Sequence, residues 1–282
     1  MLTLTDEELR KVQLTELELL IEVDRICKKH GIRYCIIAGT LLGAIRHGGF
    51  IPWDDDADIA MLHEEYVKFR DVCASEERDS LYYFQDEAVT PGYRWGYGKF
   101  RRKDTVFRRE HQEHMPYEQG ISIDIFPMDG IPDSVLGRTV TDINCFFLRK
   151  LLWSEAGRIA EKSTVKRVFY TLVSKIPEEN VKNAYRRLVR RSESLGSSRY
   201  VRILMFPTGM KERGYLRRWY SDTAPVEFEG HVFEGIRDSH EYLSEKFGNY
   251  MEYPPVSERI KKQHPVTALK FAGEEIREEK RI

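Results

Sequence analysis

The sequence predicts an α/β (α+β) protein in which strands and helices alternate over about 130 residues before a mainly helical, basic region. Short apolar runs typical of buried strands recur at 33–39, 57–62, 81–85, 98–109 and 121–128. Amphipathic helical spacing lies between them, from Thr5 to Gly31 and at about 63–77. Thr5 and Glu8 form a capping box at the start of the first helix, and Gly31 is a typical C-terminal signal.

Local signals also predict the connections between these elements. Gly39 and Thr40 are expected to turn the chain out of the first strand into a short helix that ends at Gly48. The run 121–128 alternates as a half-buried strand does. A loop is expected at 192–198, and a helix within 237–255 is expected to end at Gly248.

Composition limits the classes of function. The 282 residues contain 45 Lys and Arg against 46 Asp and Glu, so the overall charge gives no reason to expect nucleic acid as a partner. The first residues are acidic, and no stretch approaches the roughly 18 apolar residues of a membrane span. The four cysteines lie far apart without a Cys-x-x-Cys pair, which favours reduced core residues over a zinc ribbon. We therefore expect a cytoplasmic protein.

The charge is distributed unevenly along the chain. Between Arg138 and Arg191 there are 13 Lys and Arg against five Asp and Glu. Such an excess is either a solvated helix face or a surface that meets an anionic lipid leaflet or a phosphate-rich acceptor. A peripheral contact with the inner membrane leaflet through these basic helices is therefore one expectation.

Four aspartates, at 54, 55, 56 and 58, lie between Trp53 and the apolar run at 57–62. Because side chains alternate along a strand, Asp56 and Asp58 are expected on the same face. Two adjacent carboxylates repel each other unless one is protonated or a cation lies between them. A hard divalent ion such as Mg²⁺ meets this need, although Asp-x-Asp pairs also occur in surface turns.

A distant aspartate and a turn strengthen the hypothesis of a metal and phosphate site. Asp124 lies within the apolar run 121–128, where a buried charge needs a partner. That partner is either a metal shared with Asp56 and Asp58 or an arginine such as Arg101 or Arg102, unless Asp124 faces solvent. The Gly39-Thr40 turn precedes a predicted helix, whose N-terminal N–H groups and dipole favour a phosphate.

Together these residues resemble the LicD family, a branch of the nucleotidyltransferase fold that includes bacterial phosphocholine transferases and relatives of fukutin-related proteins. The similarity is centred on AGTLLGAIRHGGFIPWDDDADIAM (38–61) and extends through GKFRRKDTVF (98–107), GISIDIFPMDG (120–130) and FGNYMEYPPVSERIKKQHP (247–265). The resemblance implies a mixed sheet flanked by helices. It also implies a nucleotidyltransferase-like core at 1–131, a basic helical region at 132–200, and a segment at 201–282 that completes the active site.

The same resemblance implies a reaction and a set of site residues. Mg²⁺, or alternatively Mn²⁺, would be held by Asp56, Asp58 and Asp124. Phosphocholine or a related phospho-alcohol would pass from a CDP-alcohol to a hydroxyl of a cell-surface or lipid-linked glycan precursor, of the teichoic acid or lipopolysaccharide type, releasing CMP. Asp124 would be the general base or only a metal ligand. The expected substrate-binding residues are Gly39, Thr40, Arg46, Trp53, Lys99, Arg101 and His264.

The head group and two rival functions stay open at this point. A quaternary ammonium binds aromatic faces, and Tyr93, Trp95 and Tyr97 would share one face of an extended segment, with Trp53 as a further candidate. The first rival is a nucleotidyltransferase that leaves a nucleoside monophosphate on a small acceptor. The second is a non-catalytic binding protein on the same fold.

Overall fold

The computed structural model describes residues 2–76, 80–259 and 263–278. The helices are α1 (Asp6–His30), α2 (Ala38–His47), α3 (His63–Glu76), α4 (Val135–Leu152), α5 (Ser154–Ala160), α6 (Thr164–Val173), α7 (Glu178–Glu193), α8 (Arg218–Ser221), α9 (Ser239–Phe247) and α10 (Val256–Arg259). The strands are β1 (Cys35–Ile36), β2 (Asp58–Leu62), β3 (Tyr82–Gln85), β4 (Gly98–Arg102), β5 (Val106–Arg109), β6 (Ser122–Ile131), β7 (Tyr200–Arg202), β8 (Tyr215–Leu216), β9 (Thr223–Phe228), β10 (His231–Ile236), β11 (Val266–Lys270) and β12 (Arg277–Glu278).

The main sheet is mixed and is flanked by helices, which confirms the predicted fold class. Its strands lie in the order β3, β4, β6, β2, β1, β10, β9, and β7 extends it by pairing with β6 and β8. Strand β6 is parallel to β2 and antiparallel to β4, and β1 is parallel to β10. A smaller sheet has the order β12, β11, β5. Strands from beyond the helical region therefore complete both sheets.

Helix α1 is confirmed together with its predicted caps. The Glu8 N–H donates to Thr5 Oγ1 over 3.2 Å, and the Glu8 carboxylate accepts from the Thr5 N–H at 2.9 Å. Gly31 ends the helix at a φ of 62°, where a residue without a Cβ is favoured. Local hydrogen bonds at each end thus set the bounds of this element.

The expectation for residues 33–40 was partly wrong. Strand β1 contains only Cys35 and Ile36, and α2 begins directly at Ala38. Gly39 and Thr40 therefore lie in the first turn of the helix, not in a turn that precedes it. The chain changes direction at Ala38 itself, which has a φ of 48°.

The single strand expected at 98–109 is two strands. The chain turns between β4 and β5, where Asp104 has a φ of 60°. Strand β4 stays in the main sheet between β3 and β6, whereas β5 pairs with β11 in the smaller sheet. This turn brings the smaller sheet toward the start of β2 and β6.

Strand β6 is longer and more buried than its alternating sequence predicted. It runs to Ile131 and is buried from Ile123 onward, since α1, α3 and α7 all pack against it. The half-buried expectation was therefore wrong. The helical character of 132–191 is confirmed by α4 to α7, and α9 ends before Gly248 as predicted.

Three apolar cores support this architecture. The largest lies against the main sheet and includes Val23, Ile36, Ile59 and Phe69. A second lies under the smaller sheet, and a third joins the helical region to β6 and β7. All four cysteines are buried. Among the described helices, none has the length and apolar character needed to cross a membrane.

Candidate active site

The sheet register brings Lys99, Asp124 and Asp58 side by side on three neighbouring strands. Lys99 on β4 is paired with Asp124 on β6, and Asp124 is paired with Asp58 on β2. Directly paired residues of adjacent strands point to the same face. The Lys99 ammonium forms an ion pair with the Asp124 carboxylate, and both side chains are less than a tenth exposed. Asp124 thus pairs with Lys99, not with the arginines suggested by sequence.

Thr40 and Gly39 fix the start of β2 against α2. The Asp58 N–H donates to Thr40 Oγ1 over 2.7 Å. A Cβ on Gly39 would lie 2.8 Å from Asp54 Oδ2, so the missing side chain lets this aspartate approach the helix. The predicted glycine and threonine therefore position the aspartate segment, next to the positive end of the α2 dipole.

Buried negative charge accumulates at Asp56 and Asp58. Burial, with the charges of Asp56 and Asp124, holds the pKa of Asp58 well above its ordinary value. Burial also raises the pKa of Asp56, although His264 and Arg109 oppose this effect. Carboxyls that resist ionisation in this way need additional positive charge, and a hard divalent cation supplies it to oxygen ligands. Asp56 and Asp58 therefore fit such an ion.

The third predicted ligand is in a different electrostatic state. Burial alone would raise the pKa of Asp124, but Lys99 and Arg109 lower it below its ordinary value. Burial lowers the pKa of Lys99 to about 8, against the opposing effect of Asp124. Over residues 2–76, 80–259 and 263–278, no three His, Cys, Asp or Glu side chains are grouped so that they could hold a metal ion. The ligand set Asp56, Asp58 and Asp124 stays a prediction.

Asp55 connects the aspartate segment to His264, which lies just before strand β11. Its fully buried carboxylate accepts from the His264 backbone N–H at 2.8 Å and lies 3.0 Å from His264 Nδ1. The same Nδ1 lies 3.9 Å from Asp56 Oδ2. His264 is thus held at the edge of the carboxylate cluster, as a group expected on the substrate side would be. The role of Asp55 was not evident from sequence, because its partner is 209 residues away.

Arg109 is a site cation that the sequence reasoning missed. It ends β5 and is paired with Val266 of β11. Burial lowers the pKa of its guanidinium, but Asp124 and Asp56 outweigh this effect and raise it. Among the described carboxylates, none lies within ion-pairing distance of this guanidinium. The basic run at 98–109 was the available signal, but treating it as one strand hid the position of its last residue.

Glu16 on α1 is a further buried carboxyl near the cluster that the sequence did not reveal. One of its oxygens has no hydrogen-bond partner within the described part of the chain. Burial, with Asp56 and Asp55 nearby, raises its pKa well above the ordinary value. Burial and the neighbouring aspartates thus disfavour the charged form of Glu16.

The other predicted cations are engaged away from the carboxylates. Arg101 is buried and donates to Gln85 Oε1 at 2.6 Å and to the Gly120 carbonyl at 2.5 Å. Arg46 donates to the backbone carbonyls of Tyr250 and Glu252. Of the substrate-binding cations expected from sequence, Arg46, Lys99 and Arg101, Lys99 is the one that the structure brings to the aspartates.

Trp53 lies in a separate aromatic group near the end of α2. Its ring lies 4.7 Å from the Arg259 guanidinium and packs beside His47 and Tyr253. Its indole N–H is buried without a hydrogen-bond partner among the described residues. This ring already contacts the Arg259 guanidinium, so it is a poor candidate for binding a second cation such as the ammonium of choline.

An aromatic cavity of about 480 Å³ lies next to the ionic cluster. Its walls include Trp95, Tyr97, Trp153 and Phe206. The two tryptophan rings are 5.6 Å apart, and the Tyr97 ring lies 5.5 Å from Lys99 Nζ. Tyr93, expected on the same face, is instead fully buried beside Tyr117. Tyr97 therefore borders both the cavity and the Lys99–Asp124 pair.

A second ionic cluster lies at the other end of β6. His63 Nδ1 is 2.8 Å from Asp129 Oδ1, and His63 Nε2 is 3.2 Å from Glu193 Oε1. Burial lowers the pKa of His63, but these two carboxylates outweigh it and raise the pKa above its ordinary value. Two carboxylates at ion-pair distance from the ring favour its charged form.

The mixed sheet flanked by helices, with paired carboxylates at the start of β2 and β6, agrees with the nucleotidyltransferase-like fold class that the resemblance implied. Residues 31–147 match the family described as LicD/FKTN/FKRP, nucleotidyltransferase domain. Residues 31–147 are thus similar to the nucleotidyltransferase domain of the LicD family, which supports an enzyme of the phosphotransferase class.

Similarity to individual proteins extends beyond this domain. The chain is 27% identical over 266 residues to the lipopolysaccharide cholinephosphotransferase LicD of Haemophilus influenzae, which covers 92% of this chain and 96% of the relative. It is also 51% identical over 35 residues to the human ribitol 5-phosphate transferase FKRP, covering 12% of this chain and 7% of that protein. An uncharacterised protein of Rickettsia typhi is 37% identical over 76 residues, a quarter (25%) of each chain.

Proposed function

We propose that this protein transfers phosphocholine, or a related phospho-alcohol, from a CDP-alcohol to a hydroxyl of a cell-surface or lipid-linked glycan precursor and releases CMP. The observation that carries the proposal is the register of Lys99, Asp124 and Asp58 beside an aromatic cavity. Likeness over most of the chain to a lipopolysaccharide cholinephosphotransferase supports the reaction class.

The proposed chemistry exchanges one phosphorus–oxygen bond for another. The acceptor hydroxyl oxygen bonds to the phosphorus that carries the head group, and the bond from that phosphorus to the bridging oxygen breaks. CMP leaves with the electron pair of the broken bond. The hydroxyl proton passes to a carboxylate, for which we propose Asp124; its low pKa keeps it ionised and able to accept. Its alternative role is that of a third metal ligand.

Mg²⁺, with Mn²⁺ as the alternative, is the proposed cofactor, and Asp56 and Asp58 are the residues that would hold it. When bound, the ion would neutralise the diphosphate and stabilise the leaving CMP. Among the described residues, Lys99 and Arg109 are cations beside these carboxylates, and we propose that they bind phosphate oxygens. His264, held by Asp55, would contact the substrate from the side of the smaller sheet.

The aromatic cavity is the proposed site of the head group. A quaternary ammonium donates no hydrogen bond and is bound by aromatic faces, which Trp95, Tyr97, Trp153 and Phe206 provide. Arg94, Arg149 and Lys150 also line the cavity, and the charge of Arg94 is paired with Glu155 at 2.8 Å. The aromatic faces are the feature that favours choline over the polar chains of ribitol or glycerol.

A panel of donors tests both the reaction and the head group. The protein is incubated with Mg²⁺, an acceptor glycan and CDP-choline, CDP-ethanolamine, CDP-ribitol or CDP-glycerol, and CMP and the modified glycan are measured. We expect CMP release to be fastest with CDP-choline. Release of pyrophosphate from a nucleoside triphosphate would support the rival nucleotidyltransferase, and no turnover of any donor would support a binding protein.

Two substitutions make this test specific to the site. Asp58→Ala should abolish CMP release, whereas Asp71→Ala removes an exposed aspartate of α3 and should leave it unchanged. Trp95→Leu should raise the KM for CDP-choline more than that for CDP-glycerol. If Asp58→Ala transferred the head group as fast as the unmodified protein in Mg²⁺, the proposed metal site would be wrong.

A further inference from the structure

Helix α6 exposes its apolar face to solvent. Val165, Val168, Phe169 and Leu172 have the spacing of one helical stripe, and they are 80, 54, 48 and 60% exposed. Tyr170, on the opposite side of the helix, is the buried residue that packs against Gly157 of α5. A surface helix whose outer face meets only water normally directs its apolar stripe toward the core.

Helix α4 has the same outward orientation. Leu136, Val140, Ile143 and Phe147 form a stripe with successive spacings of four, three and four residues, and each is about half exposed or more. The buried Cys145 and Leu148 lie on the other side, in the third core. Helix α5 contacts both α4 and α6, and exposed apolar areas of this extent on helices joined in this way mark an interaction surface.

Unpaired cations border this apolar surface. A groove of about 430 Å³ between α4 and α7 has Phe147, Leu151 and Leu188 in its walls, together with Arg187 and Arg191. The two arginines are one turn apart on α7, and among the described carboxylates neither has an ion-pair partner. This part of the chain holds the 13 Lys and Arg against five Asp and Glu. The groove thus joins apolar walls to free guanidinium groups.

These two features together identify the class of partner. A second copy of the chain would cover the stripes but would bring one set of cations close to another. A nucleic acid would pair with the cations but would leave the aliphatic stripes in water. An anionic bilayer satisfies both, because its headgroup phosphates bind arginine while the acyl boundary accepts apolar side chains.

We propose that α4, α6 and α7 form a membrane-docking surface that binds an anionic lipid leaflet, with the stripes at 136–147 and 165–172 inserted at the acyl boundary. The arginines at 187 and 191 bind lipid phosphates at the groove. The surface goes beyond the proposed reaction and does not depend on which head group is transferred. Phe146, Arg149 and Lys150 of α4 also line the aromatic cavity, so docking would place that cavity beside the bilayer.

Vesicle co-sedimentation of the full chain tests the proposal. Vesicles of phosphatidylcholine alone are compared with vesicles that also contain phosphatidylglycerol, at low and high salt. Two double variants are measured, Val165→Ser with Leu172→Ser and Arg187→Gln with Arg191→Gln. The control, Lys28→Gln with Lys68→Gln, removes two exposed lysines of α1 and α3.

We expect the full chain to bind the phosphatidylglycerol vesicles and each test variant to bind about tenfold more weakly or less, while the control binds normally. Because the altered side chains are exposed, the melting temperatures should be unchanged. Equal binding to both vesicle types, no binding by the full chain, or a dimer that the serine variant dissociates would overturn the proposal. Loss of CMP release with intact vesicle binding would count against the proposed reaction alone.

Discussion

Replacing Lys99 by methionine is expected to destabilise the fold as well as the site. Lys99 and Asp124 are 4 and 6% exposed, so this ion pair lies in the interior of the sheet. Removing one partner of a buried pair leaves an uncompensated charge, which costs about 3 to 5 kcal/mol of unfolding free energy. Arg109 still offsets part of the Asp124 charge, which places the expected loss near the lower end, about 3 kcal/mol.

Urea denaturation of a double-mutant cycle measures this cost. The cycle contains Lys99→Met, Asp124→Leu and the two together. Because well-packed apolar residues often replace a buried ion pair without a large loss, the double variant should recover most of the stability. It should still release no CMP, since the proposed base and a phosphate-binding cation are both gone. A loss below about 1 kcal/mol in Lys99→Met, or a double variant no more stable than the single ones, would refute this reasoning.

Three further predictions concern other contacts. Asp55→Asn removes the charge that holds His264, so kcat/KM for CMP release should fall about 10- to 100-fold with little loss of stability. Unchanged kinetics would contradict the positioning role of Asp55. Two carboxylates raise the pKa of His63 in the folded protein. The charged imidazole therefore stabilises the fold at pH values below the pKa of the unfolded state, and this stabilisation is lost as the pH rises through the pKa of the folded state. Urea denaturation should therefore show lower stability at pH 8.5 than at pH 6, a difference absent in His63→Gln. In Gly43→Ala the new Cβ would lie 2.4 Å from the Gly49 carbonyl oxygen. The unfolding free energy should therefore fall by about 1 to 3 kcal/mol. A loss under about 0.5 kcal/mol would show that the backbone moves to accept the methyl group at little cost.

Elements defined by local signals could be predicted from the sequence. The caps of α1 at Thr5, Glu8 and Gly31 form hydrogen bonds within a few residues, so their spacing determined the bounds of the helix. Two of the errors came where the backbone changes direction at a residue other than glycine or proline. Ala38 and Asp104 both have positive φ values, and neither residue type signals that conformation strongly enough to be read from sequence.

The candidate site was predictable only in part, for a related reason. Asp56 and Asp58 are near neighbours at the start of β2 whose negative charges conflict, so a single short stretch revealed the need for a cation. The contacts of Asp55 with His264, and the approach of Arg109, depend on β11 pairing with β5 in the smaller sheet. That pairing joins segments more than a hundred residues apart, and no local pattern encodes it.

The balance of charge at the site leads to a final prediction about donor binding. Among the described residues of the site, the carboxyl groups of Asp55, Asp56, Asp58 and Asp124 outnumber the cations Lys99 and Arg109. A diphosphate would be repelled by such a site unless a divalent ion were added. We therefore expect the Kd for CDP-choline, measured by calorimetry, to be about tenfold or more higher in EDTA than in Mg²⁺.

The variant Asp58→Asn provides the decisive comparison, because it removes one negative charge and one proposed ligand together. It should bind the donor in EDTA at least as well as the unmodified protein, but gain much less from Mg²⁺. The matched variant Asp71→Asn, altered at an exposed position of α3, should keep the full response. If the unmodified protein bound CDP-choline equally well with and without Mg²⁺, Lys99 and Arg109 alone would suffice for the diphosphate. The raised pKa of Asp58 would then reflect a carboxyl that is protonated in the working enzyme, not one that awaits a metal.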